Sequence, residues 1–300
     1  MNLQQLQHLL AVAETGSFSL AAEKVHLTQP ALSRSIQALE EEIGGPLIER
    51  SLKVKELTPL GVVVAARARR IGLEISEVKR SAALLSEGGT VRLGLGPAPA
   101  AMLSAPLLRH VMEGHPRVRI LLSGGPAERQ LQALRERTVD ALVLHRDGVP
   151  PQADLRITLF PKMRLAFVCS KRHPLAQSAA VSAEALWSYP IAAGGVGLRN
   201  ETVHRLAEHF GQSLDFGEAV QLHSDELSCL VETVRNSHAI FFGVREVARS
   251  LLDAGELVEL QLAAPIDFSS EFAYVTLAGL TEPPALKVVR EFCEMRMRDQ

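Results

Sequence analysis

Gln29, Ser33, Arg34 and Gln37 follow one another at intervals of four, one and three residues, directly after Thr28 and around Pro30. Threonine is a good helix N-cap and proline costs nothing in a first helical turn, so this spacing predicts a helix that begins by presenting these side chains. Their chemistry is that of base reading. A glutamine pairs bidentately with adenine and an arginine with guanine in a major groove, each worth about 1–3 kcal/mol of discrimination. Thr28 and Gln29, with Lys53 and Lys55 further on, carry donors suited to phosphates, which fix register without reading sequence. Arg50 has two readings: it contacts DNA, or it braces Glu40.

The elements that must hold these residues can be read from spacing. Leu3, Leu6, Leu9 or Leu10, and Ala13 recur at helical intervals before the turn Thr15-Gly16-Ser17, and a short second helix runs from about Phe18 to Val25. In the third helix Leu32, Ile36, Leu39 and Ile43 share one face, turning Ser33, Arg34 and Gln37 elsewhere. Gly44-Gly45-Pro46 stops it, and Leu47 to Leu57 suits a two-stranded wing around Lys53 and Lys55. Thr58-Pro59 opens a long helix reaching about Ser86, with only Gly61 and Gly72 against it. Val64, Ala68, Ile71, Ile75, Val78, Ala82 and Leu85 step four, three, four, three along it, a heptad seam that predicts pairing with a second copy. After the hinge Glu87-Gly88-Gly89-Thr90, strands and helices alternate, which predicts an α/β region with largely parallel sheets.

The run from Ala21-Ala22-Glu23-Lys24 through Thr28-Gln29-Pro30-Ala31-Leu32-Ser33-Arg34 to Glu42-Ile43-Gly44 resembles the DNA-binding signature of the LysR family of bacterial transcription regulators. The likeness continues through Leu47, Arg50, Leu57-Thr58-Pro59 and Gly61. Ile48 stands where the family usually has Phe, and Arg137 precedes Val139-Asp140 where Gly is common. The resemblance implies a multidomain fold: a mostly α winged helix-turn-helix over 1–58, a linker and dimerisation helix over 59–89, and an α/β effector domain of periplasmic-binding-protein type over 90–300. Its first subdomain would hold 90–162 and 269–300, its second 163–268. The implied partners are double-stranded operator DNA, a small-molecule effector in the cleft, and further copies in a homodimer or homotetramer.

Ligands in such sheets bind beyond the carboxyl ends of strands, near helix N-termini. That rule points to Gly96, Ala98 and Ala100 in the first loop, then to Gly125, Arg146, Gly195, Arg199 and His223. Family members often grip a carboxylate with a Ser or Thr in the first loop. Here Gly96-Pro97-Ala98-Pro99-Ala100-Ala101 has no hydroxyl before Ser104. The expectation is a less polar effector, or one held by backbone N–H groups there and by Arg146, Arg199 or His223 opposite.

Composition narrows the classes. The chain has 300 residues, 47% hydrophobic and 22% charged, with no low-complexity tract. This is the balance of a folded globular protein. The absence of a spanning apolar run and of an export signal predicts a cytoplasmic protein. No G-x-S-x-G, H-E-x-x-H or P-loop pattern occurs, so neither catalysis nor a cofactor is expected, and no metal site. Cys169, Cys229 and Cys293 follow no ligand spacing. Redox sensing through Cys169 and Cys229 is the alternative regulator, although both are expected in apolar surroundings that slow oxidation. A net charge of −2 lends nothing to nucleic-acid binding, and residues 1–58 hold Lys24, Arg34, Arg50, Lys53 and Lys55 against seven glutamates. One such module has weak electrostatic pull, and joined modules gain affinity through effective concentration.

Overall fold

Asn2 accepts a hydrogen bond from the Gln5 N–H while the Gln5 side chain accepts from Asn2, and this reciprocal cap starts α1 (Leu3–Thr15). Ser17 caps α2 (Phe18–Lys24) through its hydroxyl. Helix α3 (Gln29–Ile43) begins after Thr28, whose backbone is extended as a cap requires but whose hydroxyl makes no capping bond. The computed structural model behind these observations describes residues 1–49, 55–84, 89–195, 200–210 and 219–298. It divides into two units, Met1–Ala83 and Leu84–Gln300.

In the first unit Leu32, Ile36 and Leu39 of α3 are wholly buried among Leu6, Leu9, Val12, Ala21 and Ala22. The two-stranded wing forms from β1 (Ile48–Glu49) and β2 (Glu56–Leu57), paired antiparallel. Ile48, in place of the family's Phe, is a buried member of this core. Thr58 opens α4 (Pro59–Leu84): its hydroxyl accepts from the Gly61 N–H at 2.9 Å and donates to the Pro46 carbonyl at 2.7 Å. Gly61 does not weaken this helix idly. A Cβ there would stand 2.0 Å from the Leu47 carbonyl oxygen, so only glycine lets α4 approach the wing so closely.

The expected seam along α4 is divided between two uses. Val64 and Ala68 pack into the unit's own core, whereas Ile71 is 37% exposed. Ile75 is half-buried and, with Leu3, Leu6, Gln7, Leu10, Ala68 and Gly72, lines a groove of about 120 Å3 between α1 and α4. The side chains of Val78 and Ala82, and all of Leu85, lie outside the described residues.

The second unit holds two sheets. The first joins β3 (Gly89–Leu95), β4 (Val118–Gly124), β5 (Ala141–His145), β6 (Leu155–Leu159) and β13 (Phe272–Leu277) in the order β4-β3-β5-β13-β6. The second joins β7 (Met163–Ser170), β8 (Ile191–Ala193), β9 (Val220–His223), β10 (Ile240–Val244) and β11 (Leu257–Glu259) in the order β11-β7-β10-β8-β9, with β12 (Ser269–Ser270) also on β7. The sheets are mixed rather than largely parallel. Strand β3 runs parallel to β4 and β5, and β8 to β9 and β10, but β13 and β7 pair antiparallel with every neighbour. The reason is the chain's path: β6 ends the first sheet, β7 opens the second with no helix between them, and β13 returns.

The α-helices among the described residues of this unit are α5 (Pro97–Gly114), α6 (Ala127–Arg135), α7 (Ala183–Trp187), α8 (Asn200–Phe210), α9 (Leu227–Arg235), α10 (Arg249–Asp253) and α11 (Pro284–Arg296). A 3-10 turn, Arg245–Ala248, runs directly into α10. One hydrophobic core spans both sheets, from Leu93, Leu103 and Val143 to Phe167, Phe241, Phe242 and Val289.

Candidate nucleic-acid interface and effector site

Thr28, Gln29, Pro30, Arg34 and Gln37 are exposed along the start of α3, and Ser33 is half-buried. They stand opposite Leu32, Ile36 and Leu39, whose complete burial prevents the helix from rolling about its axis. Two side chains that spacing does not single out fix it further. The ring of His8, on α1, meets the Ser35 hydroxyl with Nδ1 at 2.7 Å, and burial holds the imidazole pKa below its ordinary value, favouring the neutral ring. At the other end the Glu40 carboxylate accepts from the backbone N–H of Leu47 at 2.8 Å and of Ile48 at 3.3 Å, tying α3 to the wing. The wing is held a second time where the Lys55 N–H donates to the Gly16 carbonyl at 2.9 Å. Arg50 and Lys53 lie outside the described residues.

The charge around this face is less acidic than residues 1–58 suggest. Lys24 pairs with Glu14 at 2.5 Å, and the N-terminal ammonium pairs with Glu42. Helix α4 then adds the exposed Arg67, Arg69 and Arg70, and its sequence adds Lys79 and Arg80 against Glu74 and Glu77, so that residues 1–83 hold ten basic against nine acidic side chains. Basic residues beyond the wing therefore belong to the same unit.

In the second unit the loops after β3, β8 and β9 converge. Gly96 caps α5 and is buried, Ala98 is buried behind it, and the Ala100 N–H donates to the Gly96 carbonyl at 2.8 Å. A Cβ on Gly195 would stand 3.2 Å from the Pro97 Cβ, and one on Gly194 would meet the Ser224 carbonyl at 1.9 Å. The loop after β8 thus lies close to the Pro97 ring on one side and to the Ser224 backbone on the other, with His223 exposed beside Ser224 at the end of β9. Gly125 has a φ of 140° and faces open space. Arg146 is turned to local use: its Nη1 donates to the Val149 carbonyl at 2.6 Å and closes the 3-10 turn Arg146–Gly148. Arg199 lies outside the described residues.

The cysteines differ from one another. Cys169 and Cys293 are buried, and desolvation pushes each thiol up to about 12. Cys229 is exposed on α9, contrary to the apolar surroundings expected, with its Sγ 3.6 Å from the Ser224 hydroxyl. The buried face of α9 is Leu227, Leu230, Val231 and Val234, and Cys229 points away from it. Among the described residues no helix is long and apolar enough to cross a membrane, and no group of three or more His, Cys, Asp or Glu could hold a metal.

A winged three-helix reader followed by a two-sheet α/β region defines a DNA-binding regulator with a ligand-binding domain. Residues 3–62 match the model of the bacterial regulatory helix-turn-helix protein, lysR family, and residues 86–298 match the LysR substrate binding domain; the chain belongs to the LysR family of transcription regulators. It is 31% identical over 295 residues to the SDS degradation transcriptional activation protein of Pseudomonas sp. (strain ATCC 19151), covering 96% of this chain and 94% of that one. It is 30% identical over 273 residues to the HTH-type transcriptional regulator CbbR of Cereibacter sphaeroides, covering 88% and 84%. Its fold is similar to that of full-length CbnR solved in complex with its target DNA, with a TM-score of 0.59 at 20% identity over 99% and 100% of the two chains. CrgA, a LysR-type regulator from Neisseria meningitidis, gives 0.56 at 22% identity over the whole of both.

Proposed function

We propose that this regulator reads its operator with Gln29, Ser33, Arg34 and Gln37, while Thr28, Pro30, Arg50, Lys53 and Lys55 set the backbone register. The observation that carries this reading is the exposed polar start of α3 standing on a wholly buried Leu32, Ile36 and Leu39 face. In this reading 1–58 is the reader, 59–89 the linker, and 90–300 the effector domain, divided as 90–162 with 269–300 and 163–268. The protein works in the cytoplasm as a homodimer or homotetramer and catalyses no reaction. An effector held among Gly96, Ala98, Ala100, Gly125, Arg146, Gly195, Arg199 and His223 moves the subdomains and re-spaces the paired readers on DNA. Convergence of the loops at Gly96, Gly195 and Ser224 supports the location of that site.

The test is a footprint on DNA flanking the gene, followed by titration of the site found. Arg34→Ala should cost about 1–3 kcal/mol and relax one base position, whereas Lys55→Ala should weaken all sequences alike and lower the salt slope by about one. Equal losses on operator and random DNA for Arg34→Ala would remove it from the reading set. A metabolite screen scored by operator binding tests the effector domain.

A further inference from the structure

We infer that the α5 end of the cleft receives an uncharged, carbon-rich part of the effector and gives no seat to a carboxylate. This rests on reading residues 90–300 as the effector domain. A helix N-terminus ordinarily attracts an anion because several backbone N–H groups in its first turn have no partner inside the helix. At α5 those donors are nearly all removed. Pro97 and Pro99, at the first and third helical positions, carry no N–H. The Gly96 N–H is committed to the Val143 carbonyl at 2.9 Å and that of Ala100 to the Gly96 carbonyl at 2.8 Å. The Ala98 N–H is the one donor of the first turn not engaged among the described residues, and Ala98 is only 3% exposed.

Among the described residues of this loop nothing polar replaces them. Gly96 has no side chain to cap the helix, and Ser104 lies about two turns further along. Among the described residues Gly195 lies close against Pro97: a Cβ added there would come within 3.2 Å of Pro97 Cβ, 3.7 Å of Pro97 Cγ and 4.0 Å of Leu227 Cδ1, all apolar carbons. A carboxylate brought here would exchange its hydration for a single N–H, and a desolvated carboxylate needs several donors to remain ionised. A hydroxyl, a carbonyl or a hydrocarbon edge loses far less on the same surface. Of the two holds that the sequence leaves open for the first loop, backbone donors and apolar contact, the geometry favours the second. Pro97 and Pro99 are then specificity-determining residues that act by subtracting donors.

Phenylacetate and 2-phenylethanol share a carbon skeleton and differ in charge, which makes them a matched pair for titration of the full chain by calorimetry. The wild type should prefer the alcohol. Pro97→Ala with Pro99→Ala, which restores two N–H groups and adds no side-chain polarity, should tighten phenylacetate binding by about tenfold while leaving the alcohol within about threefold. Gly96→Ser is a second variant: its φ is −73° and an added Cβ meets its nearest neighbour at 3.6 Å, an ordinary contact, and the added hydroxyl should shift the preference the same way. The inference is overturned if the wild type holds phenylacetate at least as tightly as the alcohol, or if neither variant gains affinity for it. The parent reading fails on a different observation, namely that no small molecule of either charge alters operator binding.

Discussion

Arg137 shows what one residue of the wrong type does to a local backbone. It follows α6 with a φ of 55°, in the left-handed region where a Cβ crowds the carbonyl and glycine is preferred. Family members commonly place Gly there, and this chain does not. Arg137→Gly should therefore relieve about 1 kcal/mol of backbone strain and raise the melting temperature of the effector domain by roughly 2–4 °C, read by calorimetry. An unchanged or lower midpoint would show that the arginine's own contacts offset its backbone. His173 makes a residue-scale prediction with a pH signature. It is 3% exposed, its Nδ1 accepts from the Leu175 N–H at 3.1 Å, and its Nε2 faces the His238 carbonyl at 3.1 Å. Burial is the largest influence and lowers its pKa, reinforced by the charge of His238 and partly opposed by the carbonyl. Because the unfolded state binds the proton more readily, stability is complete above about pH 6.5 and falls as pH drops through the lower folded value. Melting curves of wild type and His173→Gln between about pH 7.5 and 5.5 should diverge, with the shallower slope in the variant. Parallel slopes would clear His173 of the effect.

At the scale of elements, α3 matters because it is held at both ends. Its leucine and isoleucine spacing is legible in the sequence alone, since a 3.6-residue period requires no knowledge of what packs against it. The Glu40 bonds to Leu47 and Ile48 are not legible there. Those N–H groups become available to a carboxylate only once the wing has folded back beneath α3, and the sequence marks Glu40 only as a candidate partner of Arg50. Glu40→Ala should destabilise the first unit by about 1–3 kcal/mol, the range for hydrogen bonds to a charged group, and weaken operator binding in proportion. Glu40→Gln, which keeps an acceptor oxygen, should restore most of both. The same contrast runs through the second unit. Strand Ile191–Ala193 is read directly as a buried apolar run, whereas Leu155–Leu159, Phe272–Leu277 and Pro284–Arg296 are not marked out by spacing, because their partners lie far along the chain. Of the candidate sites, the start of α3 is legible as a set. The effector loops are legible only as strand ends, since the meeting of Gly195 with Pro97 is a property of the closed fold.

At the scale of the whole molecule the question is how a reader with nearly balanced charge holds DNA. Ten basic against nine acidic residues over 1–83 give little counterion release, so one unit alone gains little from phosphate attraction. Pairing supplies what charge does not, because a second reader tethered to the first binds at an effective concentration of order millimolar. The structure narrows where pairing can occur. Val64 and Ala68 are already used inside the unit, and among the described residues of the seam Ile71 stays exposed and Ile75 half-buried, beside the groove that Leu3 and Leu10 also line. A lysine at Ile71 or Ile75 should therefore separate the copies without unfolding the reader, whereas Ala68→Lys should unfold it. Sedimentation of Ile71→Lys with Ile75→Lys should show a smaller species whose reader melts as before. Its operator affinity should fall by about 10²–10⁴, the range that linking two sites provides. Full operator affinity in a dissociated variant would mean that one reader suffices, and unchanged sedimentation would place the copies' contact elsewhere on the molecule.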